Sequence, residues 1–256
     1  MKLLTYGYSK QEINERFEKV CQQVFIQSKQ IKTGNFQVVS NDDVKLIFEL
    51  HDTYFFDNYF KENKVTEKMA FDFSKKMTSA GGKLMYYKVT NKNPIQFRIR
   101  ISAYLIFNSF KNNSTKTKTV NLAGFETKNR LEALMHVIEH EIIHLIEFLA
   151  FNDSSCKKDN FKKLANSIFG HTAFTHQLLT GKMEALKEYD LKIGDWVSFS
   201  FDGRYYKGII HRITKRATVM ALDKNGIYKD AKGNRFTKYY ILLKYLKKLD
   251  KKPIQS

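Results

Sequence analysis

Cysteine, proline, acidic residues and long apolar runs are all scarce in this chain, and each scarcity excludes something. Two cysteines in 256 residues, Cys21 and Cys156, are too few for a disulfide framework and suit a reducing compartment. Two prolines suit a compact, mostly regular structure. No apolar run approaches the ~18 residues of a membrane-spanning helix. The opening "MKLLTYGYSKQEINERF" turns polar after five residues and lacks the apolar core of a signal peptide. The expectation is a soluble, intracellular protein (cytoplasm or nucleoid, nucleus or viral particle), not secreted, with no membrane partner and monomeric. Acidic residues number 26 against 44 lysines and arginines, a formal charge of +18. Such a field attracts polyanions, nucleic acid first and anionic membrane second; a lysine-biased proteome is the bland alternative. With 43% hydrophobic residues and 14% aromatics, a substantial core is available and wholesale disorder is excluded.

The residue pattern changes twice along the chain. "YSKQEINERFEKVCQQVF" reads as a helix that Ser9 can cap, with Glu12 three residues on. "DDVKLIFELHDTYFFDNYF" is a second helix whose buried side is Val44, Ile47, Phe48, Leu50 and Phe55. "MAFDFSKKMTSAGGKLMYYKV" and "IQFRIRISAYLIF" then alternate apolar and polar residues as strands, with Gly81-Gly82 as a turn or bulge. "NSFKNNSTKTKTVN" is a polar surface loop, helical spacing returns over 129–151, and "DNFKKLANSIF" is a shorter helix stopped by Gly170. From about residue 187 short β runs alternate with Asp-Gly, Asn-Gly and Lys-Gly turns, which indicates a small all-β barrel. The sequence therefore predicts an α+β domain over 1–186 and a barrel over 187–256, with no internal repeat.

The chemistry concentrates in "HVIEHEIIH", residues 136–144. Two overlapping motifs compete. His140-Glu141-Ile142-Ile143-His144 is H-E-x-x-H; His136-Val137-Ile138-Glu139-His140 is the inverted H-x-x-E-H. On a helix, His140 and His144 lie about 40° apart and one turn separates them, so both imidazoles reach one ion while Glu141 flanks it. His136 and His144 are about 12 Å apart along the axis and cannot share an ion, and the same limit excludes Glu147 as a third ligand. The alternative is a solvated polar face on an amphipathic helix.

"MTSAGG", "RIRIS", "RLEALMHVIEHEIIHLIEF", "NFKKLANSIFG" and "THQL", in this order over roughly 44–180, resemble the SprT-like family of metalloproteases. The resemblance implies a zincin fold (helices on a small sheet), zinc held by His140 and His144, Glu141 as general base, and DNA-stimulated proteolysis of DNA-bound proteins, as in DNA–protein crosslink repair. The family takes its third ligand from a histidine in H-G-x-x-F/W, and here that register falls on Lys157 in "CKKDNF". A protonated lysine has no lone pair. Cys156 as thiolate, His171 returned by the helix over 159–169, or no third protein ligand are the candidates; His176 matches a family histidine of no assigned role. "QFRIRIS", placed at the sheet edge, would pair with an extended substrate.

Residues 187–256 carry seventeen Lys and Arg against seven Asp and Glu, a net of +10. "IGDWV" at 193–197 and the run that follows resemble SH3-like barrels of KOW and Tudor type. Tyr205, Tyr206, Lys207, Arg212, Lys215 and Arg216 interleave rings and cations, which suits stacking on bases and pairing with phosphates; a solvated barrel face is the alternative. The expected function is a zinc-dependent endopeptidase acting on DNA-associated proteins. The rival is a non-catalytic nucleic-acid-binding protein on a degenerate zincin scaffold.

Overall fold

A computed structural model describes residues 1–87, 96–111, 119–174 and 178–250. Its first helix begins where its end signal predicts. Ser9 accepts from the Glu12 amide while the Glu12 carboxylate accepts from the Ser9 amide, a capping box that opens α1 (Lys10–Gln27). Ser40 and Asp43 repeat the device at the head of α2 (Asn41–Phe56). Val44, Ile47, Phe48, Leu50 and Phe55 are buried, as their spacing requires. Asp57 and Asn58, both left-handed, end α2 and lead into the short α3 (Tyr59–Glu62).

Three strands follow, β1 (Met69–Ser74), β2 (Gly82–Tyr86) and β3 (Phe97–Ser102), in the spatial order β1-β3-β2. Here two expectations are corrected. The "FRIRIS" strand is central, not at the edge: it runs parallel to β1 and antiparallel to β2, with Phe97, Ile99 and Ile101 buried. Alternation cannot tell a central from an edge strand when the sheet buries only one face. The strand also stops at Ser102, whose hydroxyl accepts from the Leu105 amide and caps α4 (Ala103–Ser109). The apolar run "AYLIF" satisfies either period, and the cap decides. A small hairpin, β4 (Val120–Leu122) with β5 (Phe125–Thr127), precedes the central helix. Residues 112–118 of the polar loop and His176 lie outside the described residues.

Asn129 caps α5 (Arg130–Phe151) by accepting from the Glu132 amide. From 133 to 147 only His144 is not buried, because α2, α4, α6 and strands β2 and β3 all pack on this helix. It is therefore not amphipathic in place: the histidine side, expected as a possible solvated face, is enclosed, with His140 5% and Glu141 2% exposed. The next helix, α6 (Asp159–Phe169), ends on Gly170 at φ 71°, and this left-handed cap turns the buried His171 back into the core.

The chain divides into Met1–Leu178 and Leu179–Ser256, earlier than the 186/187 boundary read from composition. Helix α7 (Gly181–Tyr189) is the reason: Ala185 and the following Leu191 are buried in the core of the second unit. That unit holds one antiparallel sheet of β6 (Trp196–Phe201), β7 (Arg204–Ile213), β8 (Ala217–Leu222), β9 (Tyr228–Lys229), β10 (Arg235–Ile241) and β11 (Lys247–Lys248), in the order β11-β6-β7-β8-β10-β9. The fold class is α+β. Among the described residues no helix is long and apolar enough to cross a membrane.

Candidate metal centre and basic sheet face

The H-E-x-x-H turn of α5 brings two imidazoles to one point. His140 Nε2 and His144 Nε2 are 3.2 Å apart, and both rings lie against Phe161 of α6. His144 Nδ1 is 2.6 Å from Ser154 Oγ, and that hydroxyl donates to Glu147 Oε2 at 2.7 Å. With the serine proton committed to the carboxylate, Nδ1 must be the donor to Ser154, which leaves the Nε2 lone pair facing His140. A four-coordinate ion with bonds of about 2.0–2.1 Å sets its ligands about 3.3 Å apart, close to the separation seen. Glu147, excluded as a ligand by its position on the helix, thus serves the site through Ser154. Ligating histidines characteristically carry such outer partners.

Cys156 sits in the connection between α5 and α6, and its sulfur lies within 4.8 Å of the His140 and His144 ligand atoms. Lys157 is exposed. His171 is elsewhere: its Nε2 is 2.9 Å from Glu139 Oε2. It belongs to a second group with His136 and Glu139, whose ligand atoms also fall within 4.8 Å of one another. The inverted motif is therefore split, His136 and Glu139 on one side and His140 on the other.

Glu141 is buried, and its Oε2 accepts from the Leu84 amide at 2.6 Å. The ladder to β3 uses the Gly81 carbonyl and the Tyr87 amide, so the Leu84 amide points to the outer edge of β2, unpaired among the described strands, where Glu141 meets it. Close approach requires Gly82: a Cβ there would lie 2.5 Å from Glu141 Oε1 and 2.8 Å from Val137 Cγ1. Burial pushes the Glu141 carboxyl up to about 8, against the lowering pull of the Leu84 amide. Burial would raise Glu139 too, but His136, His171 and His51 more than offset it and hold that carboxyl well below its usual range. Burial holds His171 below the ordinary histidine value despite Glu139.

In the second unit, cross-strand register sorts side chains by face. Val197, Phe199, Ile210, Val219, Ala221 and Ile241 are buried inside. Tyr206 joins them, stacked on Phe199 at 5.6 Å and 4.8 Å from Tyr239, which removes it from the exposed aromatic–cation set. Tyr205 and Lys207 alternate to the outer face of β7. A register shift between Ile210 and Arg212 keeps Arg212 opposite Thr218 on that face. Tyr240 pairs with Thr218 and Lys238 with Met220, so β10 adds a ring and a cation alongside. Tyr205 is 63% and Tyr240 62% exposed, and the Lys238 ammonium lies 4.2 Å over Tyr228. Lys215 and Arg216 occupy the β7–β8 turn. Lys238 and Tyr240 were missed in the sequence because only pairing across strands places them on the same face as Arg212, with β8 between. No family model, curated protein or solved structure matches the chain.

Proposed function

We propose that the first unit is a zinc-dependent hydrolase centre of the H-E-x-x-H class, held by His140, His144 and Cys156. Within that class, the reading we favour is a metalloendopeptidase of the SprT-like kind, with a zincin-like fold and a following SH3-like module, acting on proteins associated with DNA or other nucleic acid. The observation that carries it is the 3.2 Å approach of the two Nε2 atoms, with a thiol beside them and Glu141 next to a strand edge. The cysteine answers the missing third histidine, since a thiolate is a good zinc donor where Lys157 is not. Bound zinc would supply Lewis acidity, activating water and polarising a carbonyl.

The remaining roles fall to the chain. Glu141 takes the proton of the attacking water and returns it to the leaving amine, a role suited to a carboxyl tuned toward neutrality. The outer edge of β2, rather than β3, aligns an extended substrate by adding a strand; this substrate displaces Glu141 from the Leu84 amide as it binds. Ser154 and Glu147 keep His144 in the tautomer that offers Nε2. On the second unit, Lys207, Arg212 and Lys238 pair with phosphates while Tyr205 and Tyr240 offer stacking surfaces, with Lys215 and Arg216 at the end of the face.

The non-catalytic rival draws on the same Glu141–Leu84 hydrogen bond, which occupies the base. Proteolysis separates the two readings. Glu141→Gln is expected to lower cleavage of a DNA-bound protein by roughly 10²–10⁴-fold with zinc content unchanged; undiminished cleavage by the variant, or a zinc-free wild type, sinks the protease reading. Separately, reversing Lys207, Arg212 and Lys238 to Glu should weaken nucleic-acid binding and reduce the salt slope by about one for each phosphate no longer neutralised. An unchanged slope would assign the face another role.

A further inference from the structure

Three imidazoles surround one carboxylate in the core, away from the H-E-x-x-H pair. We propose that His51, His136, Glu139 and His171 form a second, closed site for a transition-metal ion of the zinc class. The group is drawn from three parts of the fold: His51 from α2, His136 and Glu139 from one turn of α5, and His171 from the chain just past the α6 cap. None is more than 7% exposed. His136 Nδ1 is 2.7 Å and His171 Nε2 2.9 Å from Glu139 Oε2, and His51 Nε2 is 3.3 Å from Glu139 Oε1.

Hydrogen bonds orient the rings of this cluster toward the carboxylate. His51 Nδ1 is 2.7 Å from the Ile47 carbonyl, which only accepts, so Nδ1 carries the ring proton. His51 Nε2 then faces a carboxylate oxygen at 3.3 Å, a separation that either a ring proton or a metal ion can bridge. A backbone carbonyl on the far nitrogen is also the usual outer partner of a ligating histidine. The other nitrogen of His171, Nδ1, is buried without a partner among the described residues. The ring proton therefore sits on Nε2 and donates to Glu139, and a metal ion binding there would replace that proton. Packing sets the rings: His136 is stacked between Phe17 and Phe125 at 4.9 and 4.7 Å, His51 lies on Phe55, and His171 against Phe169. His136, Glu139 and His171 present ligand atoms within 4.8 Å of one another, and His51 stands at the carboxylate's other oxygen; such an enclosed set suits a structural ion, in contrast to a site with an open position for substrate.

The competing account is a proton shared among the same atoms, and metal counting distinguishes them without any activity assay. Full-length protein is saturated with zinc, freed of excess by gel filtration, and its zinc measured per chain for wild type, His140→Ala/His144→Ala and His171→Asn. The proposal expects the double variant to keep one equivalent that His171→Asn lacks. Cobalt in the double variant should show ligand-field bands without the thiolate charge transfer that Cys156 would contribute. Loss of all zinc in the double variant with retained near-ultraviolet circular dichroism overturns the proposal and leaves the protease centre standing. Should the double variant unfold, His171→Asn decides: a wild-type zinc content that this substitution does not reduce overturns it. The reverse pattern, zinc that survives the double variant alone, supports this site and removes the other.

Discussion

Helix α5 carries two histidine groups one turn apart, built from the same residue types and arranged in opposite ways. In the first, His140 and His144 present nitrogen to nitrogen with a sulfur beside them, and His144 and Cys156 are only half-buried. In the second, a carboxylate stands among three imidazoles and every member is buried. Motif spacing alone treats both as ligand candidates. What separates them is what lies between the donors and whether water can reach them: an accessible set suits chemistry on a substrate, and an enclosed set suits holding elements together.

The contrast can be broken most forcefully through stability. Glu139→Ala leaves three buried imidazoles without their shared hydrogen-bond partner and should cost about 3–5 kcal/mol in urea unfolding with chelator present. His144→Ala, at the accessible set, should cost far less under the same conditions. Equal losses would show that enclosure does not distinguish the groups. A smaller effect sharpens the first site from its outer layer. Glu147→Gln frees Ser154 from its carboxylate and should weaken zinc binding by roughly 10–100-fold, with Cys156→Ala weakening it further. Zinc competition with a chromophoric chelator gives both numbers, and zinc that ignores Cys156→Ala excludes the cysteine as ligand.

The smallest effect comes from a solvated counterpart of Glu139. Asp72 accepts from Arg98 and Arg100 on the sheet surface. Burial alone would raise its carboxyl, but the two guanidiniums more than offset this and leave it below 3.8. A depressed folded pKa stabilises above the unfolded value and is lost as pH falls through the folded one. Asp72→Asn should therefore remove at most about 1 kcal/mol near neutrality, with the difference from wild type vanishing at the acid end of the transition. A variant deficit that grows on acidification contradicts that sign.

Local signals carried much of the first unit. The caps at Ser9 and Gly170 and the burial of Val44, Ile47, Phe48, Leu50 and Phe55 follow from spacing that a short window contains. So does the one-turn relation of His140 to His144. Legibility failed where two structures share a pattern: "AYLIF" continued a strand on paper and forms a helix, and "FRIRIS" alternates equally well at an edge or in the centre.

By itself, then, the sequence determined the α+β class, the central helix with its H-E-x-x-H turn, and the basic β-rich end, because periodicity, capping and charge are properties of neighbouring residues. Tertiary structure decided which donors meet. His171 and Glu139 are 32 residues apart, and His51 and Glu139 are 88 apart. Packing around helix α5 brings Cys156 to the His140–His144 pair and His171 to the carboxylate. Strand order then put β2, not β3, beside Glu141. Such meetings depend on how whole elements pack, since burying the apolar sides of helices and sheet together fixes where their few polar side chains converge.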